Sequence, residues 1–152
     1  MKEFLRTNRL LVRLFEERDL DDLYKLLSNP EVMVYLEPPF SKERTKDFLI
    51  NYCLGEEPML FALEHEKRFI GYVIYHEFDD DSMEIGWVMM PEYWGKGFAN
   101  ELTEKLIELT RKDNKKSVIE CDPNQVASIK VAKKFGFKLV EEDDELLTYE
   151  LE

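Results

Sequence analysis

The stretch best suited to chemistry is Trp94-Gly95-Lys96-Gly97-Phe98-Ala99. Glycines at 95 and 97 carry no side chain, so an anion can come close to the backbone N–H groups there. Where a helix begins at such a turn, its unpaired N–H groups and its positive end face the same spot, which suits a phosphate. Lys96 can add a charge-assisted contact. Two nucleotide loops fail on spacing. A Walker loop needs four residues between its first Gly and a Gly-Lys-Ser/Thr ending, and a dinucleotide fingerprint needs a third Gly after Gly-x-Gly-x-x. Neither pattern is present. Read by themselves, the glycines are equally compatible with a tight connection that binds nothing.

Other reactive side chains are few. His65 and His76 are the only histidines, and each lies beside a turn among charges, as surface residues do. Cys53 and Cys121 belong to no Cys-x-x-Cys pair and are too scattered for a disulfide framework or a zinc site. They read as buried thiols in a reducing compartment, and no metal is expected.

The elements that must position the glycine turn follow from hydrophobic period. Residues 10–15 read as a first strand, and Asp19 as the cap of a helix carrying Leu20, Leu23, Leu26 and Leu27, stopped at Pro30. Residues 31–40, with Pro38-Pro39, read as a loop. Ser41 opens a second helix with Phe48, Leu49 and Tyr52 on one stripe, ending at Gly55. Residues 60–63, 69–75 and 83–90 form an antiparallel meander joined by charged turns. The glycine turn then leads into a periodic helix bearing Leu102, Leu106, Ile107 and Leu109. A strand at 117–121, a helix at 126–135 ended by Gly136, and a hairpin of 137–140 with 146–151 complete the chain. The order is β-α-α-β-β-β-α-β-α-β-β, an α/β (α+β) fold with a mixed, mostly antiparallel sheet and about four helices.

Composition bounds the partners. A chain of 152 residues reads as one domain spanning 1–152, and 44% hydrophobic residues suffice for a core. With 21 Lys+Arg against 33 Asp+Glu, the net charge is −12, which argues against nucleic acid and anionic membrane as partners. The charged N-terminus lacks the apolar run of a secretory signal, and no stretch approaches the ~18 apolar residues of a membrane span. The expectation is a cytoplasmic protein, monomeric or homodimeric through the terminal hairpin.

At this point the chain resembles the GNAT acetyltransferase superfamily, in the branch related to ribosomal-protein N-terminal alanine acetyltransferases. Arg9 to Phe15 are similar to the branch's opening strand, Glu84 to Glu101 to its acetyl-CoA motif, and Ser128 to Phe137 to its second cofactor motif. The resemblance implies an N-acetyltransferase that moves acetyl from acetyl-CoA to a primary amine, in a small molecule or at a peptide N-terminus, by direct transfer in a ternary complex. It implies that the amides of Gly95, Lys96, Gly97, Phe98 and Ala99 hold the CoA pyrophosphate. It places Trp87, Val88, Met89 and Met90 along the pantetheine arm, with N–H groups that polarise the acetyl carbonyl. Glu84 matches the strand carboxylate that takes the ammonium proton, directly or through water.

Several positions depart from the family pattern. The loop's opening arginine or glutamine is Trp94, and the tyrosine that protonates the departing thiolate is Ala132. Ser128 matches a serine proposed to meet the thiolate in this branch, and the amide before it falls on Gln125 or on Asn124. The last hairpin ends soon after Leu147-Thr148-Tyr149, without the branch's longer Trp-x-Asp element that helps shape the acceptor site. Glu31, Glu37, Glu56 and Glu57, in the region where relatives bind acceptors, suggest a cationic amine. The missing tyrosine keeps open an alternative, a non-catalytic acyl-CoA-binding regulatory module.

Overall fold

Period-two alternation along the central strands divides their side chains between two cores. Phe61, Leu63, Val73, Ile85 and Met89 point to one face of the sheet, and Leu60, Ala62 and Tyr72 to the other. The strands are β1 Glu3–Arg6, β2 Leu10–Arg13, β3 Leu60–His65, β4 Arg68–Asp79, β5 Ser82–Met89, β6 Lys116–Cys121, β7 Lys138–Glu142 and β8 Leu147–Leu151. In this computed structural model, which describes all 152 residues, they form one sheet in the order β1-β2-β3-β4-β5-β6-β8-β7. Only β5 and β6 run parallel.

Helices α4 (Phe98–Lys112) and α5 (Val126–Lys134) cover the first face with Phe98, Leu102, Leu106 and Ala132. Helices α1 (Leu20–Leu27), α2 (Pro30–Met33) and α3 (Lys42–Phe48) cover the second. An eight-residue helix such as α1 is too short to be stable by itself. Leu23, Leu26 and Leu27, at most 1% exposed, contribute roughly 1.5–3 kcal/mol each by burial and hold it in place. No helix is long and apolar enough to cross a membrane.

The expected order holds with additions and one reassignment. The first strand ends at Arg13 rather than Phe15, and it pairs with an unanticipated strand β1. Charges hid β1 in the sequence, yet its Phe4 ring stacks on Phe61 at 4.0 Å. Pro30 stops α1 but also starts α2, because Asn29 accepts the Glu31 and Val32 N–H groups and proline needs no donor in a first turn. Asp19 precedes α1 without capping it by its side chain. Its carboxylate instead takes both Nη groups of buried Arg13 at 2.9 Å, while Arg13 Nε reaches Glu64 at 2.6 Å. Ser41 caps α3 as expected, and the helix continues into a π turn over Leu49–Cys53. β7 is an open edge with every residue exposed.

Candidate active site

The site exists because two parallel strands part. Pairing of β5 with β6 covers only Ser82–Glu84 against Lys116–Val118, whereas β5 stays on β4 as far as Met89 and β6 stays on β8 as far as Cys121. A cleft of about 740 Å³ opens between them. Trp87, Val88 and Met89 line it from β5, Gly95 and Gly97 to Asn100 from the turn, and Asn124 to Ser128 from the start of α5. Glu31, Val34, Tyr35 and Leu36 form its outer rim. Met90 donates its N–H to Ile70 across β4, so the alternate N–H groups of Trp87 and Met89 face the open gap.

The turn has the form its glycines suggested. Gly95 and Gly97 adopt φ of +72° and +83°, and Gly97 caps α4 without a side chain. The first helical bond is from Glu101 N–H to Gly97 O, and every backbone N–H from Gly95 through Asn100 lacks a protein acceptor. Asn100 Oδ1, also in the cleft, is buried without a partner. These unmatched groups, at the positive end of a 15-residue helix, call for an anionic ligand with donors of its own nearby.

Neighbouring side chains brace this cradle. The Trp94 indole N–H donates to Met89 O at 2.9 Å, tying the turn to the end of β5. Arg9 Nε and backbone N–H donate to the Glu101 carboxylate at 2.8 Å each, the Thr7 hydroxyl donates to the same group, and the Arg9 guanidinium lies 4.5 Å over the Phe98 ring. Burial works to raise the Glu101 carboxyl, but these donors outweigh it and hold the group below its ordinary range. Arg9 Nη2 thereby stands 3.3 Å from where a Cβ of Gly97 would lie. Lys96 and Met90 stand outside the cleft lining: Lys96 is exposed and Met90 packs toward the second core.

On the α5 side, Ser128 is buried in the cleft wall at 8% exposure. The Gln125 side-chain carbonyl accepts from Asp122 N–H, which leaves the Asn124 amide the freer of the two. Ala132 is completely buried in the core, so no acid stands at its position.

A second cavity, about 490 Å³, lies on the opposite face of β4 and β5. Glu84 and His76 sit at one end, with Tyr72, Phe48, Tyr52, Glu37 and Asp47 around it. The two cavities meet at one cross-strand pair, since Val88 of the cleft lies directly opposite Tyr72 of the cavity. Arg44, a cation of this cavity, is held by Glu37 at 2.7 Å. Of the four acidic residues expected near an acceptor, Glu37 lines the cavity, Glu31 lines the cleft, and Glu56 and Glu57 line neither.

A family model described as an acetyltransferase (GNAT) domain matches residues 9–138. The chain belongs to the GNAT acetyltransferase family. The GNAT chain is 33% identical over 138 residues to an uncharacterized N-acetyltransferase, YnaD, of Bacillus subtilis, covering 87% of this chain and 81% of that one. Among solved structures it matches a GNAT-family acetyltransferase from Bacillus anthracis, with a TM-score of 0.83, 24% identity and 97% of each chain covered. It also shares its fold with RimL, a ribosomal L7/L12 alpha-N-protein acetyltransferase solved with coenzyme A, at a TM-score of 0.79 and 17% identity over 98% of this chain and 97% of that one.

GNAT enzymes use acetyl-CoA as cosubstrate, and the residues present here suit it. A pyrophosphate can take the unpaired N–H groups of the turn, and apolar Trp87, Val88 and Val34 can cover an aliphatic arm. Sequence reasoning missed Asn100 in the cleft and Arg9 beside the turn, and it read His76, which lines the second cavity, as a surface residue. Arg9 and Glu101 are 92 residues apart, and no local spacing signals a contact of that kind.

Proposed function

We propose that this enzyme transfers acetyl directly from acetyl-CoA to a primary amine, with both substrates bound at once on either side of β5. The observation that carries the reading is the meeting of the cleft and the second cavity at the Val88–Tyr72 pair, with a carboxylate, Glu84, on the amine side. Acetyl-CoA supplies an activated thioester. The chain supplies orientation and polarisation: the gap-facing N–H of Met89 can stabilise charge on the acetyl oxygen, and Gly95 to Ala99 anchor the phosphates. Glu84 accepts the ammonium proton. It stands four residues from Val88, ~13 Å along the strand at ~3.3 Å per residue, so that proton crosses through water in the cavity. Ser128, in the cleft wall, is the candidate to meet the departing sulfur.

The acceptor class follows from the cavity. Asp47 and Glu84 face it, the one arginine there is held by Glu37, and Phe48, Tyr52 and Tyr72 offer aromatic walls. A small cationic amine, or a peptide N-terminus with a basic neighbour, suits that lining. The unpaired buried thiols Cys53 and Cys121 support a reducing, cytoplasmic setting. The test is free-thiol release from acetyl-CoA over a panel of amines. Cationic amines are expected to be preferred over neutral ones, and Glu84→Gln to lower kcat by about 10²–10⁴-fold while leaving acetyl-CoA binding in place. Full activity in Glu84→Gln would remove Glu84 from the mechanism, and acetyl-CoA binding without thiol release for any amine would favour a non-catalytic module.

A further inference from the structure

Two neighbours hold the backbone around Met89, whose N–H faces the open gap. The first is Trp94. Pro91–Tyr93 form one 3₁₀ turn after β5, with Tyr93 N–H donating to Met90 O at 3.0 Å and Trp94 N–H to Pro91 O at 3.1 Å. This turn folds the chain back, and the Trp94 indole N–H reaches Met89 O at 2.9 Å. At the other end of the same peptide, Met90 N–H donates to Ile70 O at 2.8 Å. The Met89–Met90 peptide is thus hydrogen-bonded at both ends and cannot rotate without losing both bonds.

The second neighbour is Gly71, directly opposite Met89 in the β4–β5 ladder. A Cβ on Gly71 would fall 2.0 Å from Val88 O, 2.8 Å from Met89 Cα and 2.9 Å from Val88 C. All three are backbone atoms, so any side chain there would force the Val88–Met89 peptide itself off β4. Glycine lets that peptide lie close, with Val88 O toward β4 and the Met89 N–H on the opposite edge of the strand. The Met89 side chain, 5% exposed in the first core, anchors the residue between the two peptides.

The N–H and C=O of a strand residue point to the same edge, so Met89 turns both toward the gap. Beyond Glu84 no β6 partner takes either one. A free carbonyl beside the N–H would set its lone pairs next to charge developing on an acetyl oxygen, and it would turn toward any donor, an incoming ammonium included. The Trp94 indole occupies that carbonyl and leaves the N–H open. Because Gly95 follows directly, the same side chain couples the phosphate turn to the strand that faces the thioester.

We infer that Trp94 and Gly71 are positioning residues for acetyl transfer: they fix the peptides on either side of Met89 so that its N–H, and not its carbonyl, meets the acetyl oxygen. This rests on the reading of the Met89 N–H as the group that polarises the acetyl carbonyl.

The test is isotope-edited infrared spectroscopy of acetyl-CoA, ¹³C-labelled at the acetyl carbonyl and bound without amine, together with single-turnover rates of acetyl transfer. The proteins are the wild type, Trp94→Phe and Gly71→Ala, each checked for its thermal shift with CoA. A hydrogen bond lowers a carbonyl stretching frequency, so the wild-type band should lie below that of free acetyl-CoA. Trp94 is 47% exposed, and phenylalanine keeps an aromatic ring while removing the N–H. In Trp94→Phe the band should move back toward the free value and the rate fall about two- to tenfold, with the CoA thermal shift retained. In Gly71→Ala the band should approach the free value and the rate fall by about 10²–10³-fold, as on loss of an oxyanion donor. Should Gly71→Ala not fold, Trp94→Phe decides alone. A Trp94→Phe band and rate that match the wild type would overturn the inference, as would a slower rate with an unmoved band or loss of the CoA thermal shift. A wild-type band at the free position defeats the Met89 reading itself, and the positioning role with it.

Discussion

Replacing Gly97 with tryptophan tests the proposed phosphate cradle. Gly97 has φ of +83°, and an added Cβ would lie 3.3 Å from Arg9 Nη2, so the indole must displace Arg9 or fill the concavity of the turn. The backbone strain alone costs roughly 1–2 kcal/mol, which at ~2–4 °C per kcal/mol for a domain of this size lowers the unfolding midpoint by ~2–8 °C. The control is Gly55→Ala, at φ +103° with nothing within 4 Å of its Cβ and outside both cavities. It carries similar strain without blocking a ligand. Acetyl-CoA at 100 times its dissociation constant adds about 2.7 kcal/mol, or ~5–11 °C, to any variant that binds it. Thermal unfolding with and without acetyl-CoA should therefore show that shift in the wild type and in Gly55→Ala, and none in Gly97→Trp. A full shift in Gly97→Trp would refute the assignment of the turn as the phosphate site.

Two further outcomes follow from the same geometry. Asp19→Asn removes one partner of the buried Arg13, both residues being 2% exposed, and should cost about 3–5 kcal/mol in chemical denaturation. Burial works to raise the Asp19 carboxyl, but Arg13 and the Glu16 N–H outweigh it and hold the group below its ordinary range. Its contribution is therefore present above the unfolded-state pKa and lost as pH falls through the lower folded value, and Asp19→Asn should lack that acid-side slope. Tyr52→Ala, on the amine side and 45% exposed, should leave folding and the acetyl-CoA shift intact while raising KM for the amine roughly two- to tenfold, from ~0.5–1.5 kcal/mol of aromatic contact. An unchanged amine KM in steady-state kinetics would place the acceptor elsewhere.

Most of the element order was legible because it rests on local chemistry. Leucines at helical spacing marked α1 and α4, alternation marked the β3-β4-β5 meander, and two glycines marked a turn whose φ values a side chain would strain. Asp19 shows the limit of such reasoning. Its type and place suit a helix cap, yet the buried guanidinium of Arg13 holds its carboxylate at 2.9 Å, and only the folded chain brings Arg13 and Glu64 to it. Charges on β1 concealed a strand whose aromatic contacts, Phe4 with Phe61 and with Tyr75, each span more than fifty residues.

The sequence by itself determined the glycine turn, the strand that feeds it and the helix that holds Ser128, since each depends on backbone preferences within a few residues. The tertiary structure alone decided that β5 and β6 part after Glu84, that Arg9 reaches the turn through Glu101, and that His76 stands opposite Glu84. Strand register is the physical reason. It is set by packing across the whole sheet, and a shift of one residue would turn Glu84 and its neighbours to the other face.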